Sequence, residues 1–84
     1  MAFHPNAYLA DFRNVKPGLK ARTHILNVLE KGAADARTIA ERTNLTYRVV
    51  LHHLILLESR QIVERKGRRP AVWRSTGFGQ RRLT

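Results

Sequence analysis

The run Thr46–Ser59, TYRVVLHHLILLES, constrains this chain more than any other stretch. Thr46 offers the hydroxyl of a good helix N-cap, able to accept an N–H of the first turn, and neither Gly nor Pro follows until Gly67. Advancing 100° per residue puts Val49, Val50, His53, Leu54 and Leu57 on one broad face. Arg48, His52, Ile55 and Ser59 fall opposite, with Tyr47 and Leu51 between. Such a helix is either an ordinary core helix with solvated basic residues or a helix that reads nucleic acid. Its flanks have to separate the two.

Upstream, Pro17-Gly18 punctuates the chain, Pro being well tolerated at a first helical position. Leu19, Arg22, Ile25, Leu26 and Leu29 then recur at helical spacing and predict a helix from about Gly18 to Lys31. Gly32 ends it in a left-handed position. Ala33-Ala34 supplies a minimal extended bridge, and Asp35 caps a second short helix, Ala36 to Thr43, with Ile39 and Ala40 inward. Asn44 tolerates a left-handed conformation and marks a tight turn; Leu45 plugs the corner before Thr46. Two helices joined by so few residues make a helix-turn-helix. After Ser59 the period changes. Ile62–Arg65 reads as a strand with Ile62 inward, Lys66–Pro70 as a turn, and Ala71–Ser75 as the returning strand, with Trp73 facing the helices as a core residue. The fold class is α+β, mainly helical: a three-helix core plus a two-stranded hairpin.

Three regions follow. Residues 1–16 form an N-terminal arm in which Asn6 caps a short helix and Tyr8, Leu9 and Phe12 share one side. That side either folds back on the domain or packs on a second copy. A single domain of 84 residues is short of core, burying only about 60% of its unfolded surface, so a dimer contact is expected. Residues 17–76 form the domain itself, and 77–84 a mobile basic tail.

Charge separates the readings of the Thr46 helix. Sixteen Lys and Arg, only four of them Lys, face six Asp and Glu, giving a net charge of +10. That balance points to a polyanion, most simply DNA or RNA, and an Arg-dominated one suits phosphates and guanine edges. From Arg65 to Thr84 there are seven basic residues and no acidic one. A solvated loop rarely concentrates charge in this way, and nucleic-acid contact is the better reading. A membrane-surface role does not fit, because no helix sets a basic face against an apolar one rich in Trp or Phe. No stretch approaches the roughly 18 apolar residues of a membrane span, and the N-terminus lacks the order of a signal peptide. A cytoplasmic, nucleoid-associated protein is expected.

The ordered set Arg22-x-x-Ile25-Leu26-x-x-Leu29-x-x-Gly32, Ile39-Ala40, Leu45-Thr46, His53-Leu54-x-x-Leu57, Ile62-Val63 and Trp73 resembles winged helix-turn-helix regulators of the bacterial and archaeal ArsR and MarR type. It spans about Arg22 to Thr76. The resemblance implies a homodimeric binder of duplex DNA, a transcriptional regulator or chromosome-associated factor, with the third helix in the major groove and the hairpin as a wing on the backbone or in a minor groove. Carried onto this sequence, Thr46, Tyr47, Arg48, Leu51 and His52 face the groove, Arg48 towards a guanine edge and Tyr47 towards a phosphate or thymine methyl. Arg37 touches a phosphate, and Arg65, Lys66, Arg68, Arg69 and Arg74 make the wing. There are departures. The Ser or Gln contacts usual on the third helix are replaced by Leu51 and Ile55, which favours backbone-driven binding. Gln61 stands where a Gly commonly precedes the first wing strand, and there is no Cys for a thiolate sensor. Pro70-x-x-Trp73 is also similar to winged helices that bind left-handed DNA, although Leu51 and Ile55 stand where those need a polar and an aromatic reader.

No catalytic function is expected, since no Gly-rich phosphate loop follows a strand and the six carboxylates are scattered. His52-His53 is a poor metal pair because adjacent helical side chains diverge by about 100°. His53 reads as a partly buried structural residue and His52 as a surface or phosphate contact. Neither a metal, a cofactor nor a small-molecule effector is expected. Leu51, Ile55 and Leu56 leave an apolar stripe beside the reading face. Two other classes share these features: an RNA- or ribosome-associated winged helix, and a protein-interaction winged helix using that stripe.

Overall fold

A computed structural model of the chain describes residues 4–7 and 16–76. After one 3₁₀ turn, Pro5–Ala7, come α1 (Lys16–Lys31), β1 (Ala34–Asp35), α2 (Ala36–Thr43), α3 (Tyr47–Ser59), β2 (Val63–Lys66) and β3 (Val72–Ser75). The caps read from the sequence set these boundaries. The Asp35 carboxylate accepts from Thr38 N at 2.8 Å and the Thr46 hydroxyl from Val49 N at 3.2 Å, each satisfying an orphan donor of a first turn. Asn44 lies in the left-handed region (φ 61°) and its N–H, with that of Leu45, returns to the Ala40 carbonyl. Three residues, Asn44, Leu45 and Thr46, therefore turn α2 into α3. Gly32 ends α1 with φ 153°. α1 itself begins at Lys16 rather than Gly18, because Pro17 falls in a first turn where no N–H is needed.

The end of α3 is less obvious from the letters. Gln61 takes φ 64°; its N–H reaches the Glu58 carbonyl at 2.9 Å, and Ile62 N–H reaches the Leu57 carbonyl at 3.0 Å. This paired closure normally places a Gly where Gln61 stands. It also corrects the strand's phase. Ile62 and Val63 are both buried, but Ile62 belongs to the helix stop, and Val63 is the first inward residue of β2.

The sheet has three strands in the order β1-β3-β2, all antiparallel. The expected two-stranded hairpin thus gains an edge: Ala34 pairs with Trp73 and Asp35 with Val72 on one side, while Arg65 pairs with Trp73 and Lys66 with Val72 on the other. Trp73 sits at the centre, and Ile25, Leu26, Leu29, Ile39, Val50, Leu54 and Leu57 form the core with it. Val49, placed on the buried face by the helical wheel, is 37% exposed, because the core contacts α3 over a narrower arc centred on Val50 and Leu57.

The described part of the arm folds back. Ala7 is fully buried in the core, His4 N donates to Thr23 Oγ1 at 3.0 Å, and the His4 ring meets the Glu30 carboxylate. Asn6 lies inside the 3₁₀ turn, its N–H donating to His4 Nδ1 at 3.0 Å; the helix it is expected to cap and the dimer contact of Tyr8, Leu9 and Phe12 lie outside the described residues, as does the tail 77–84. Among the described residues, no helix is long and apolar enough to cross a membrane.

Candidate nucleic-acid interface

The exposed ridge of α3 carries Arg48, His52, Ile55 and Ser59, with Thr46 at its start. Tyr47, 52% exposed, and the half-buried Leu51 stand on the flank towards the wing. There they line a cleft of about 500 Å³ between three elements. Arg37 and Asp35, at the start of α2, form one wall. Arg65, Arg68 and Pro70 of the wing form the other, and Trp73 lies at the base. Three arginines thus line one cleft, and its single carboxylate is already occupied as the α2 cap, which holds Asp35 below its usual range.

The wing residues divide by the pleat, since successive side chains point to opposite faces. Val63, Arg65 and Trp73 share the face turned to the helices, while Glu64, Lys66 and Arg74 lie on the outer one. Arg65 donates to both Glu58 oxygens on α3, Nε at 3.0 Å and Nη2 at 2.8 Å, and its guanidinium lies 4.7 Å from the Trp73 ring centroid. The pair lowers the Glu58 pKa and raises that of Arg65. Arg74 pairs with Glu64 directly across the strands and borders a separate depression beside Gly32. The structure therefore brings Arg37, Tyr47, Leu51, Arg65 and Arg68 together and leaves Arg74 apart from them. Lys66, Arg68 and Arg69 at the tip are exposed, and no described ion pair engages them.

Behind the ridge, His53 is 8% exposed. Burial, then the positive charge of Arg22 and of His52, lowers its pKa to about 4. Arg22, 1% exposed, donates from Nε to the Ala7 carbonyl at 2.6 Å and approaches His53 Nδ1 to 3.4 Å from Nη1. His52 stands edge-on to His53, ring centroids 5.1 Å apart, and among the described residues no three His, Cys, Asp or Glu gather as a metal site would need. Sequence reasoning missed Glu58, whose role depends on a partner seven residues away in another element. It also counted Arg22 only as part of a helical period; a cation inside that apolar stripe was the available signal.

Three helices closed by a β-hairpin, with the second and third joined by a three-residue turn, define a winged helix-turn-helix domain. No protein-family model and no curated protein matches the sequence. Solved structures do match. The chain is similar to the Zα domain of PKZ from Carassius auratus, solved in complex with Z-DNA, at 29% identity over 68% of this chain and 92% of that one, with a TM-score of 0.63. It is similar also to the homodimeric winged helix-turn-helix DNA-binding domain (fragment 1–100) of Mb0332 from Mycobacterium bovis, a possible ArsR-family transcriptional regulator. There the identity is 26% over 75% of this chain and 59% of that one, with a TM-score of 0.65. The fold implied by the ArsR and MarR resemblance is the fold found.

Proposed function

We propose that this chain is a DNA-binding module, a small regulator or chromosome-associated factor that sets α3 in the major groove of a duplex and the wing against its backbone. The observation that carries the reading is the convergence of Arg37, Arg65 and Arg68 on a cleft beside the exposed ridge of α3, in a chain of net charge +10. Arg48 is the candidate for a guanine edge, since a guanidinium matches O6 and N7 bidentately. Thr46, Tyr47 and His52 flank it, and Leu51 closes the cleft side. Arg37, Lys66, Arg68 and Arg69 supply phosphate contacts. Arg65 and Arg74 contribute charge from within ion pairs. Like the Mycobacterium bovis domain, the chain acts as a homodimer, with Tyr8, Leu9 and Phe12 as the contact; a monomer by sedimentation at binding concentrations would remove that part.

Fluorescence anisotropy on random duplex DNA, titrated across salt, tests the core of the proposal. Neutralising about six to eight phosphates gives a logarithmic slope of about −5 to −7, and Arg68→Ala shallows it by about one. An unchanged slope removes the wing contact. Tighter binding to duplex RNA overturns the DNA reading.

The likeness to the Zα domain favours a second reading, in which the ligand is left-handed DNA. Pro70 and Trp73 stand at the cleft with Tyr47 beside them, whereas apolar Leu51 and Ile55 weigh against it. Circular dichroism of an alternating d(CG) duplex separates the two, since only a left-handed binder inverts the long-wavelength band.

A further inference from the structure

Ile55 is the feature the DNA reading leaves unused. It is 46% exposed in the middle of α3, on the ridge that also presents Arg48 seven residues before it, His52 three before and Ser59 four after. At helical spacing these side chains adjoin one another. A single exposed Ile is unremarkable on a protein surface. This one continues the ridge that begins with Arg48 and His52, so a partner drawn to Arg48 along that ridge also meets the Ile. The net charge of +10 favours a nucleic acid as that partner, and the exposed ridge shared with Arg48 and His52 turns Ile55 towards the same groove.

A hydrocarbon side chain discriminates base edges in a definite way. Against guanine O6 and N7, or an amino group of cytosine or adenine, it displaces water without replacing the hydrogen bond and leaves a polar group unsatisfied. Against the C5-methyl of a pyrimidine it buries apolar surface at no such cost. On the DNA-binding reading above, we infer that Ile55 reads a pyrimidine C5-methyl in the major groove, so that the chain selects duplexes carrying thymine, or 5-methylcytosine, opposite the centre of α3. Half-buried Leu51, one turn earlier on the wing side, extends the same apolar strip towards the cleft. The replacement of hydrogen-bonding side chains by Leu51 and Ile55 is then a change of what is read rather than a loss of reading.

The test compares duplexes differing only in that methyl. An alternating dA·dT duplex is set against the same duplex with deoxyuridine for thymidine, and a dG·dC duplex against its 5-methylcytosine form, by anisotropy at fixed salt. Each methyl covered contributes about fourfold in affinity, from the free energy of burying one CH₂ group. The wild type is expected to bind the methyl-bearing member of each pair at least about fourfold tighter. Ile55→Ala should bring both ratios close to one, whereas Arg68→Ala should weaken all four probes alike and leave the ratios intact. Equal affinity of the wild type within each pair overturns the inference while leaving the DNA reading standing, as does a ratio that survives in Ile55→Ala. Binding to none of the four overturns the DNA reading and the inference with it.

Discussion

His53 ties the stability of the domain to pH in a range where carboxylates contribute little. Its imidazole lies on the buried face of α3 with Val50, Leu54 and Leu57, behind the proposed reading ridge. Burial and two neighbouring basic residues lower its pKa from 6.5 to about 4. Well above pH 6.5 the ring is uncharged in both the folded and unfolded states, and its contribution is fully present. As the pH falls below 6.5, the unfolded chain takes up a proton that the folded chain refuses, so stability is lost until the folded pKa is passed. The interval corresponds to about 3 kcal/mol at 1.36 kcal/mol per pH unit, roughly 2 kcal/mol of it gone by pH 5. That is a large fraction of the roughly 5 kcal/mol expected of so small a domain. Urea denaturation at pH 7, 6 and 5 should show the midpoint falling at constant m, and His53→Leu should flatten the dependence. The His53 ring resonances should report a neutral imidazole at pH 5. A wild-type midpoint that holds steady from pH 7 to 5, or an equal fall in His53→Leu, would refute the reasoning.

Gln61→Gly should stabilise the domain by about 0.5–1 kcal/mol. Relief of a left-handed side-chain residue, worth about 1–2 kcal/mol, outweighs the extra chain entropy of Gly; an unchanged or lower urea midpoint contradicts the strain at φ 64°. Glu58→Gln frees Arg65 from its bidentate partner. Stability should change little, as for exposed pairs, while the salt slope of DNA binding steepens by up to about one. Trp73, the single Trp, should register the release in its fluorescence, and an unaltered spectrum and slope would mean that Arg65 is held by the ring alone.

The elements legible in the sequence are those whose determinants are local. Asp35, Asn44 and Thr46 each act within about one turn of themselves, so α2 and the turn into α3 stand as the letters place them. Trp73 was legible as core because a large apolar residue in an alternating strand has one place to go. What escaped depends on distant pairing. The extended bridge at Ala33-Ala34 was legible, but its pairing as a third strand depends on β3 returning beside it some 40 positions later. The wing's charges read as one patch, yet Arg65 and Arg74 face opposite sides of the sheet and each meets a carboxylate. Val49 was misplaced because a helical wheel gives angles but not the width of the surface that covers them. Gln61 escaped because the helix stop needs a positive φ, and Gln gives no sign of adopting one.

Arg22 shows how the arm and the proposed reading helix are joined. A guanidinium 1% exposed is tolerable only if its donors are met inside, and here they are met from two directions. Nε takes the Ala7 carbonyl, and Nη1 lies near His53 of α3. Gly18 belongs to the same arrangement, since a Cβ there would stand 3.0 Å from Nη1. The turn Pro5–Ala7 is therefore part of the core. Ala7 fills its end, and its carbonyl helps hold the cation that faces the back of α3. Loss of that turn would take the Ala7 carbonyl from a buried charge directly behind the helix carrying Arg48, His52 and Ile55. The described part of the arm thus bears on the proposed reading surface through its hydrogen bonds to α1.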